Sequence, residues 1–193
     1  MHIKTLVAAL SCAFASAGAF AGSLDTSYNT NNQGRQGVYF DLTANDSAVS
    51  VNSFVVNGAA GQWDIWVKSG SYAGFETNQG AWTKLTSATT VNGIDTINVS
   101  GLTIGAGQTE GVYVFDFAGW QNYSDGIATF SNDDLSFTGG TGNYGFFDNT
   151  LADRNWSGTV NYTLAAVPEP TELSLLVAGL GLMGVVARRR RQA

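Results

Sequence analysis

The sequence predicts an all-β fold, an antiparallel β-sandwich or jelly roll, with an N-terminal signal peptide and a C-terminal single transmembrane helix. Three observations predict it. Apolar residues along the middle of the chain alternate with a period of two. Asn-Gly, Ser-Gly and Asp-Gly dipeptides punctuate those runs. The only two prolines, Pro168 and Pro170, divide this middle part from a weakly apolar run closed by four arginines. The expected pieces are a leader at 1–21, a sandwich ectodomain at 22–167 and a tail at 168–193.

The leader, "MHIKTLVAALSCAFASAGAFAGS", has a basic start at Lys4, an apolar stretch from about Leu6 and small residues at its close, the pattern of a secretory signal peptide. Ala19-Phe20-Ala21 meets the small-x-small rule and predicts cleavage after Ala21, with Ala17-Gly18-Ala19 as a competing site. Cys12 follows "ALS", but the apolar stretch ahead of it is very short for a lipoprotein, so it is expected to leave with the leader.

The body that remains has no Cys and no His, since Cys12 and His2 both lie in the leader. A disulfide framework, Ser-His-Asp or Cys-His nucleophiles and the usual zinc or copper sites are thereby excluded. Carboxylate chemistry and calcium stay open. The body holds 13 Asp and Glu against 4 Lys and Arg, Arg35, Lys68, Lys84 and Arg154, a net charge of −9. Such a surface repels phosphate backbones, so nucleic acid is not an expected partner.

The body has the length of one domain and shows no internal repeat. In "WSGTVNYTLA", Trp156, Gly158, Val160, Tyr162 and Leu164 share one face, and Ser157, Thr159, Asn161 and Thr163 the other. "GVYFDLTA" sets Val38, Phe40 and Leu42 against Tyr39, Asp41 and Thr43; "QWDIWVKSG" sets Trp63, Ile65 and Val67 against Gln62, Asp64, Trp66 and Lys68. In "AVSVNSFVVNG" the alternation changes phase between Val51 and Phe54, so a β-bulge is expected near Asn52-Ser53. "TEGVYVFDF" is apolar on both faces, Val112 and Val114 against Tyr113, Phe115 and Phe117, and belongs at the centre of a sheet. Turns are expected at Asn57-Gly58, Ser69-Gly70, Asn92-Gly93 and Asp125-Gly126. Short strands at turn-punctuated spacing imply a sandwich.

From Leu173 to Ala187 runs an uncharged stretch of fifteen residues. At about 1.5 Å per residue it makes about 22 Å of helix, against a bilayer core of about 30 Å. It is a short membrane span. The arginine cluster keeps its far end cytoplasmic, so the body faces outward.

Val167-Pro168-Glu169-Pro170, the hydrophobic stretch and Arg188, Arg189, Arg190 and Arg191 resemble, in that order, the PEP-CTERM sorting signal, a tail also labelled the ice-binding protein C-terminal domain. The resemblance covers the last twenty-seven residues. It implies export by a Gram-negative bacterium, recognition by the membrane protease exosortase, and a cut near the PEP motif. It also implies passage from an inner-membrane-tethered precursor to the cell surface or exterior, where such proteins are associated with exopolysaccharide and biofilm matrix. The word ice has no counterpart in the body, which lacks a regular Thr-x-Thr array. The body itself is similar to the Gly-, Asn- and Thr-rich β-sandwich ectodomains found ahead of such tails, through "YFDLTA", "SGSYAGFETNQGAWTKL", "GLTIGAGQTEGVYV" and "FSNDDLSFTGG". That resemblance implies a fold and no activity.

Trp66 falls on the polar face of its strand, where a flat indole suits stacking on a sugar ring. Tyr72, Trp82, Trp120 and Tyr123, in or near loops, would extend that platform; the competing reading is that these aromatics fill cores or cover sheet edges. Asp125, Asn132, Asp133 and Asp134 offer the hard oxygen ligands that calcium prefers, without a full calcium-loop spacing, and solvated turns explain them as well. The favoured function is a non-enzymatic surface or matrix component, an adhesin-like module on exopolysaccharide. The alternatives are a carbohydrate-active enzyme with paired carboxylates, a carbohydrate-binding module, and a passive spacer. Asp64 and Asp116 lie on strands, but nothing in the sequence pairs them, so no catalytic residue is assigned. No cofactor is expected, although calcium stays open.

Overall fold

A computed structural model describes residues 20–26, 32–164 and 179–180. The leader before Phe20, the PEP motif and most of the expected membrane span lie outside the described residues. Among those described, no helix is long and apolar enough to cross a membrane.

The body is all-β, with β1 (Ala21–Asp25), β2 (Gly37–Ala44), β3 (Val49–Gly58), β4 (Gly61–Ser69), β5 (Thr83–Thr90), β6 (Gly93–Ile104) and β7 (Thr109–Asp116). There follow β8 (Tyr123–Asp125), β9 (Thr129–Ser131), β10 (Leu135–Gly145), β11 (Asp148–Ala152), β12 (Arg154–Trp156) and β13 (Thr159–Leu164). Among the described residues, β1-β13-β3-β6 form one sheet and β11-β10-β2-β7-β4-β5 a larger one, with β9 also on β10 and β12-β8 as a short pair. The ladders are antiparallel.

One core lies between the two sheets. Phe40 and Leu42 of β2, Trp63 and Ile65 of β4, and Val112 and Val114 of β7 meet Phe54 and Val56 of β3, Ile97 of β6, and Val160 and Tyr162 of β13. Phe40 stacks on Trp156 at 5.1 Å, and Phe54 sets an edge against both rings. Each such buried side chain contributes about 1.5–3 kcal/mol of transfer free energy.

The bulge lies where the phase change places it. Val51 faces Leu102 and Tyr162 while Ser53 faces Asn98 and Asn161, so both ladders step across Asn52, which is exposed. The stretch read as a single strand from Trp156 onward is interrupted: β12 ends at Trp156 and β13 starts at Thr159. Thr26 fastens the break. Its N–H donates to the Gly158 carbonyl at 2.9 Å and its hydroxyl accepts from the Gly158 N–H at 2.8 Å. The same hydroxyl lies 2.9 Å from the Trp156 carbonyl. A Cβ on Gly158 would collide with the Trp156 ring and the Val55 carbonyl, so only glycine fits there. Two residues of break preserve the phase, and Trp156, Val160 and Tyr162 all stay inside.

Turns also differ at one place. β3 continues through Asn57-Gly58, with Gly58 paired to Gly93, and the chain turns at Ala59-Ala60 instead. Ladder pairing to β6 outweighs the local turn preference there.

The outer face of the large sheet is covered too. β7 lies between β2 and β4, and its Tyr113 and Phe115 point away from the main core into a second one with Tyr39, Trp82 and Phe147. Tyr39 and Tyr113 stack at 4.0 Å with 6° between planes. Asn143 Nδ2 donates to both hydroxyls, at 2.6 Å to Tyr113 and 3.1 Å to Tyr39. Burial pushes the Tyr113 phenol up to about 12, so it serves here as a neutral hydrogen-bonding group.

Two segments form the cover. Residues 70–82 are held down by Asp41, whose carboxylate accepts from the Ser71 hydroxyl at 2.6 Å and the Tyr72 N–H at 2.9 Å. Tyr39 donates its hydroxyl to the Glu76 carbonyl at 2.7 Å. From the other side, the β10–β11 hairpin tip inserts Phe147, at a φ of 52°. A left-handed conformation costs a bulky residue about 1–2 kcal/mol, which burial of the ring offsets.

Burial raises the pKa of the Asp41 and Glu110 carboxyls, against the pull of their hydroxyl and backbone donors and of Lys68. A raised folded-state pKa contributes stability below the ordinary carboxyl value of about 4, and that contribution is lost as pH rises through the raised values. The thermal midpoint of the processed protein should therefore fall as pH climbs from about 4 toward neutrality, and Asp41→Asn should flatten the fall. A midpoint that rises over that range in both proteins would contradict this. Gly158→Ala should destabilise by about 1–3 kcal/mol, read as a lower urea midpoint with an unchanged slope. A midpoint equal to the parent's would show that the junction yields without cost.

Candidate functional site

At the end of the sandwich where β3 crosses to β4 and β5 crosses to β6, those crossings, the segment after β7 and Gln33 border an open cleft of about 380 Å³. Its lining is Gln33, Asn57, Gly58, Ala59, Asn92, Gly93, Trp120 and Asn122. Gly93 takes a φ of 97° to make its turn. A side chain on Gly58 would meet the Trp63 ring at 2.7 Å and the Trp120 carbonyl at 3.2 Å.

Asp116, the last residue of β7, builds the loop that presents Trp120. Its carboxylate accepts from the Ala118 N–H at 2.8 Å and the Trp120 N–H at 3.0 Å, and its carbonyl accepts from Gly119 at 3.1 Å. Burial raises its pKa, while the N–H groups of Trp120, Ala118 and Gly119 pull it down. Beyond the turn, Gln121 is fully buried, its amide oriented to donate to the Val114 carbonyl at 3.2 Å and accept from the Trp156 indole at 3.1 Å. The Asn122 N–H then donates to the Asn57 carbonyl at 2.9 Å. The loop is thus pinned on both sides of Trp120, whose indole is 56% exposed. Asn122 is 3% exposed, and its Oδ1 is buried without a hydrogen-bond partner. An amide-lined hollow beside an exposed indole on a pinned loop can hold a flat ring with apolar C–H faces and polar edges.

The other aromatics singled out by sequence lie elsewhere. Trp66 is half-buried on the outer face of the large sheet, edge-on to Phe146 at 5.6 Å and Phe147 at 5.3 Å, and its indole N–H is buried. Tyr72 stacks on Tyr39 at 6.2 Å, and Trp82 is buried with its N–H donated to the Phe75 carbonyl at 2.9 Å. Tyr123 is buried under the Arg35 guanidinium at 4.7 Å. These four form no open platform with Trp120. Phase along a strand cannot reveal that a distant hairpin folds over the same face. The amides were within reach of sequence reading, since Asn57-Gly58 and Asn92-Gly93 stood out as turns; only their backbones drew attention.

The acidic candidates are occupied in holding turns. Asp125 pairs with Arg154 at 3.1 Å and accepts from Asn32 at 3.0 Å. Asn132 Oδ1 accepts from the N–H groups of Asp134 and Leu135, and Asp134 accepts from the Tyr162 hydroxyl at 2.9 Å. The Asp133 carbonyl accepts from Asn45 at 3.1 Å. Among the described residues no three His, Cys, Asp or Glu side chains gather as a metal site would need. Asp64 and Asp116 do not converge: Trp63 pairs with Asp116 and Asp64 with Phe115, which sets the two carboxylates on opposite faces. Asp64 accepts from Ser87 at 2.6 Å and faces Lys84 at 3.7 Å.

No curated protein matches the chain. Among solved structures it is similar to the clostridial cysteine protease Cwp84 after propeptide cleavage, at 13% identity and a TM-score of 0.44 over 75% of this chain and 40% of that one. It is also similar to the cysteine protease and lectin-like domains of Cwp84, a surface layer associated protein of Clostridium difficile, at 13% identity and a TM-score of 0.42 over 75% and 36%. The chain spans less than half the length of either. At its other end, residues 166–191 match the family model of the PEP-CTERM protein-sorting motif. That motif starts two residues after β13 ends and marks an exported precursor for processing by exosortase; the chain carries a PEP-CTERM protein-sorting motif.

Proposed function

We propose that the processed domain is a non-catalytic component of the cell surface or extracellular matrix that holds exopolysaccharide at the Trp120 cleft. The observation that carries this reading is the exposed Trp120, on a pinned loop, beside a hollow lined with amides. Sugar rings present apolar C–H faces to an indole and hydroxyls to amides. The body's net charge of −9 gives no Coulomb attraction to an acidic polymer, so retention rests on stacking and hydrogen bonds. The non-catalytic part of the reading is supported by Asp64 and Asp116, which face opposite ways and are each tied into local structure.

Processed protein purified from the host should be retained on the host's own polymer, with little loss on adding salt or a chelator. Trp120→Ala should weaken retention about tenfold, the equivalent of about 1.4 kcal/mol. Trp66→Ala should lower the thermal midpoint and leave retention intact. Retention lost in chelator alone would replace stacking with calcium bridging, and reducing ends accumulating with time would overturn the non-catalytic reading. In the tail, replacing Glu169 or deleting Arg188 to Arg191 should leave uncut, membrane-held precursor, because a proline-flanked Glu suits recognition by a protease, proline disfavouring regular structure in general. Unchanged release would show that the tail is not read in this way.

A further inference from the structure

We infer that Asn92 is a site of spontaneous modification, where loss of the side-chain amide as ammonia turns the cleft lining from neutral to acidic without an enzyme. Asn92 and Gly93 join β5 to β6, and both line the cleft. Asn92 is exposed, as are Val91 and Ile94 on either side of the dipeptide. Among the described residues no group bonds the Asn92 amide. The Asp95 carboxylate accepts from the Val91 N–H at 2.9 Å, a tie across the turn that bypasses the Asn92 side chain. Gly93 takes a φ of 97° and carries no side chain, so nothing on its own α-carbon hinders approach to its nitrogen. The same dipeptide at Asn57-Gly58 is the control that the fold supplies. Asn57 and Gly58 are both buried within β3, Asn57 pairs with Ile94, and its carbonyl accepts from the Asn122 N–H at 2.9 Å. Bringing Asn57 Cγ onto the Gly58 nitrogen would require the main chain to leave that ladder, so the reaction there waits on local opening.

The step balances with water as its only co-reactant. The Gly93 nitrogen attacks Asn92 Cγ, the Cγ–Nδ2 bond breaks, and ammonia leaves with the proton that the Gly93 nitrogen gives up. Water then opens the cyclic imide. Attack at Cγ leaves aspartate, whereas attack at the Asn92 main-chain carbonyl leaves an isoaspartyl link that lengthens the crossing from β5 to β6 by one carbon. Either product puts a carboxylate into a lining that has no ionisable side chain. The body's four cations are committed elsewhere. Arg35 lies against the rings of Tyr123 and Tyr144 at 4.7 and 4.0 Å, and Arg154 pairs with Asp125. Lys68 donates to the Ser69 and Ser71 carbonyls, and Lys84 faces Asp64. The new charge therefore stands unneutralised on a body already at −9, and the cleft changes one way with the age of the protein.

The test incubates processed protein from the host in mildly alkaline buffer, folded and in concentrated urea, and follows the peptides carrying Asn92 and Asn57 by mass and elution. In the folded protein the Asn92 peptide should convert at least about tenfold faster than the Asn57 peptide, with aspartyl and isoaspartyl forms both appearing. In urea the two rates should draw together, because the burial and pairing that separate the sites are gone. Folded, aged protein should bind an anion exchanger more tightly and release ammonia in step with the conversion. Asn92→Gln should lose both effects, since its longer side chain closes the corresponding ring slowly. Equal conversion of the two peptides in the folded protein would overturn the assignment, as would an Asn92 peptide that converts in urea and stays intact in the folded chain. Undiminished ammonia release from folded Asn92→Gln would place the reaction at another amide and overturn it as well.

Discussion

The architecture follows from a strand that is apolar on both sides. β7 presents Val112 and Val114 one way and Tyr113 and Phe115 the other, so the sheet it centres must be covered twice. The four-stranded sheet covers one face. Among the described residues nothing of comparable size is left for the other, and residues 70–82 with the β10–β11 hairpin tip close it as a patchwork of rings and hydrogen bonds. The backbone cost at Phe147, the stacked tyrosines and the hold of Asp41 on Ser71 and Tyr72 are consequences of that one demand.

What was legible in the sequence is what depends on immediate neighbours. Alternation located β2, β4 and β7, and the broken phase located the bulge at Asn52, because a bulge leaves its mark in the same few residues that form it. The interruption at Ser157-Gly158 was not legible, since the hydroxyl that stabilises it comes from Thr26, more than a hundred residues earlier. The candidate site divides in the same way. Trp66 had the right local address for an exposed ring, yet Phe146 and Phe147 close over it from another part of the chain. Trp120 and the amides beside it come from four separate segments of the chain, and only the fold brings them together.

Placement of the cleft owes much to buried polar groups. Asp116 holds the Trp120 turn, Gln121 bridges β7 to the Trp156 indole, and the Asn122 backbone reaches β3. Each tie uses a donor or acceptor that burial would otherwise leave unmet, so the requirement that stabilises the core also fixes the loop that carries the indole. Asn122 Oδ1 is the exception in this series, buried without a partner.

The chain leaves the sandwich at Leu164, paired with Val49 at one end of β3, whereas Gly58 at the other end of β3 lines the cleft. The two points lie about 30 Å apart along the strand, at about 3.3 Å per residue. If, as proposed, the cleft holds a polymer while the uncut precursor is held through its tail, force on the domain would enter at the two ends of β3. The tension would run parallel to β13 and β3, loading the hydrogen bonds of their ladder together in shear, where they resist far better than when peeled one at a time.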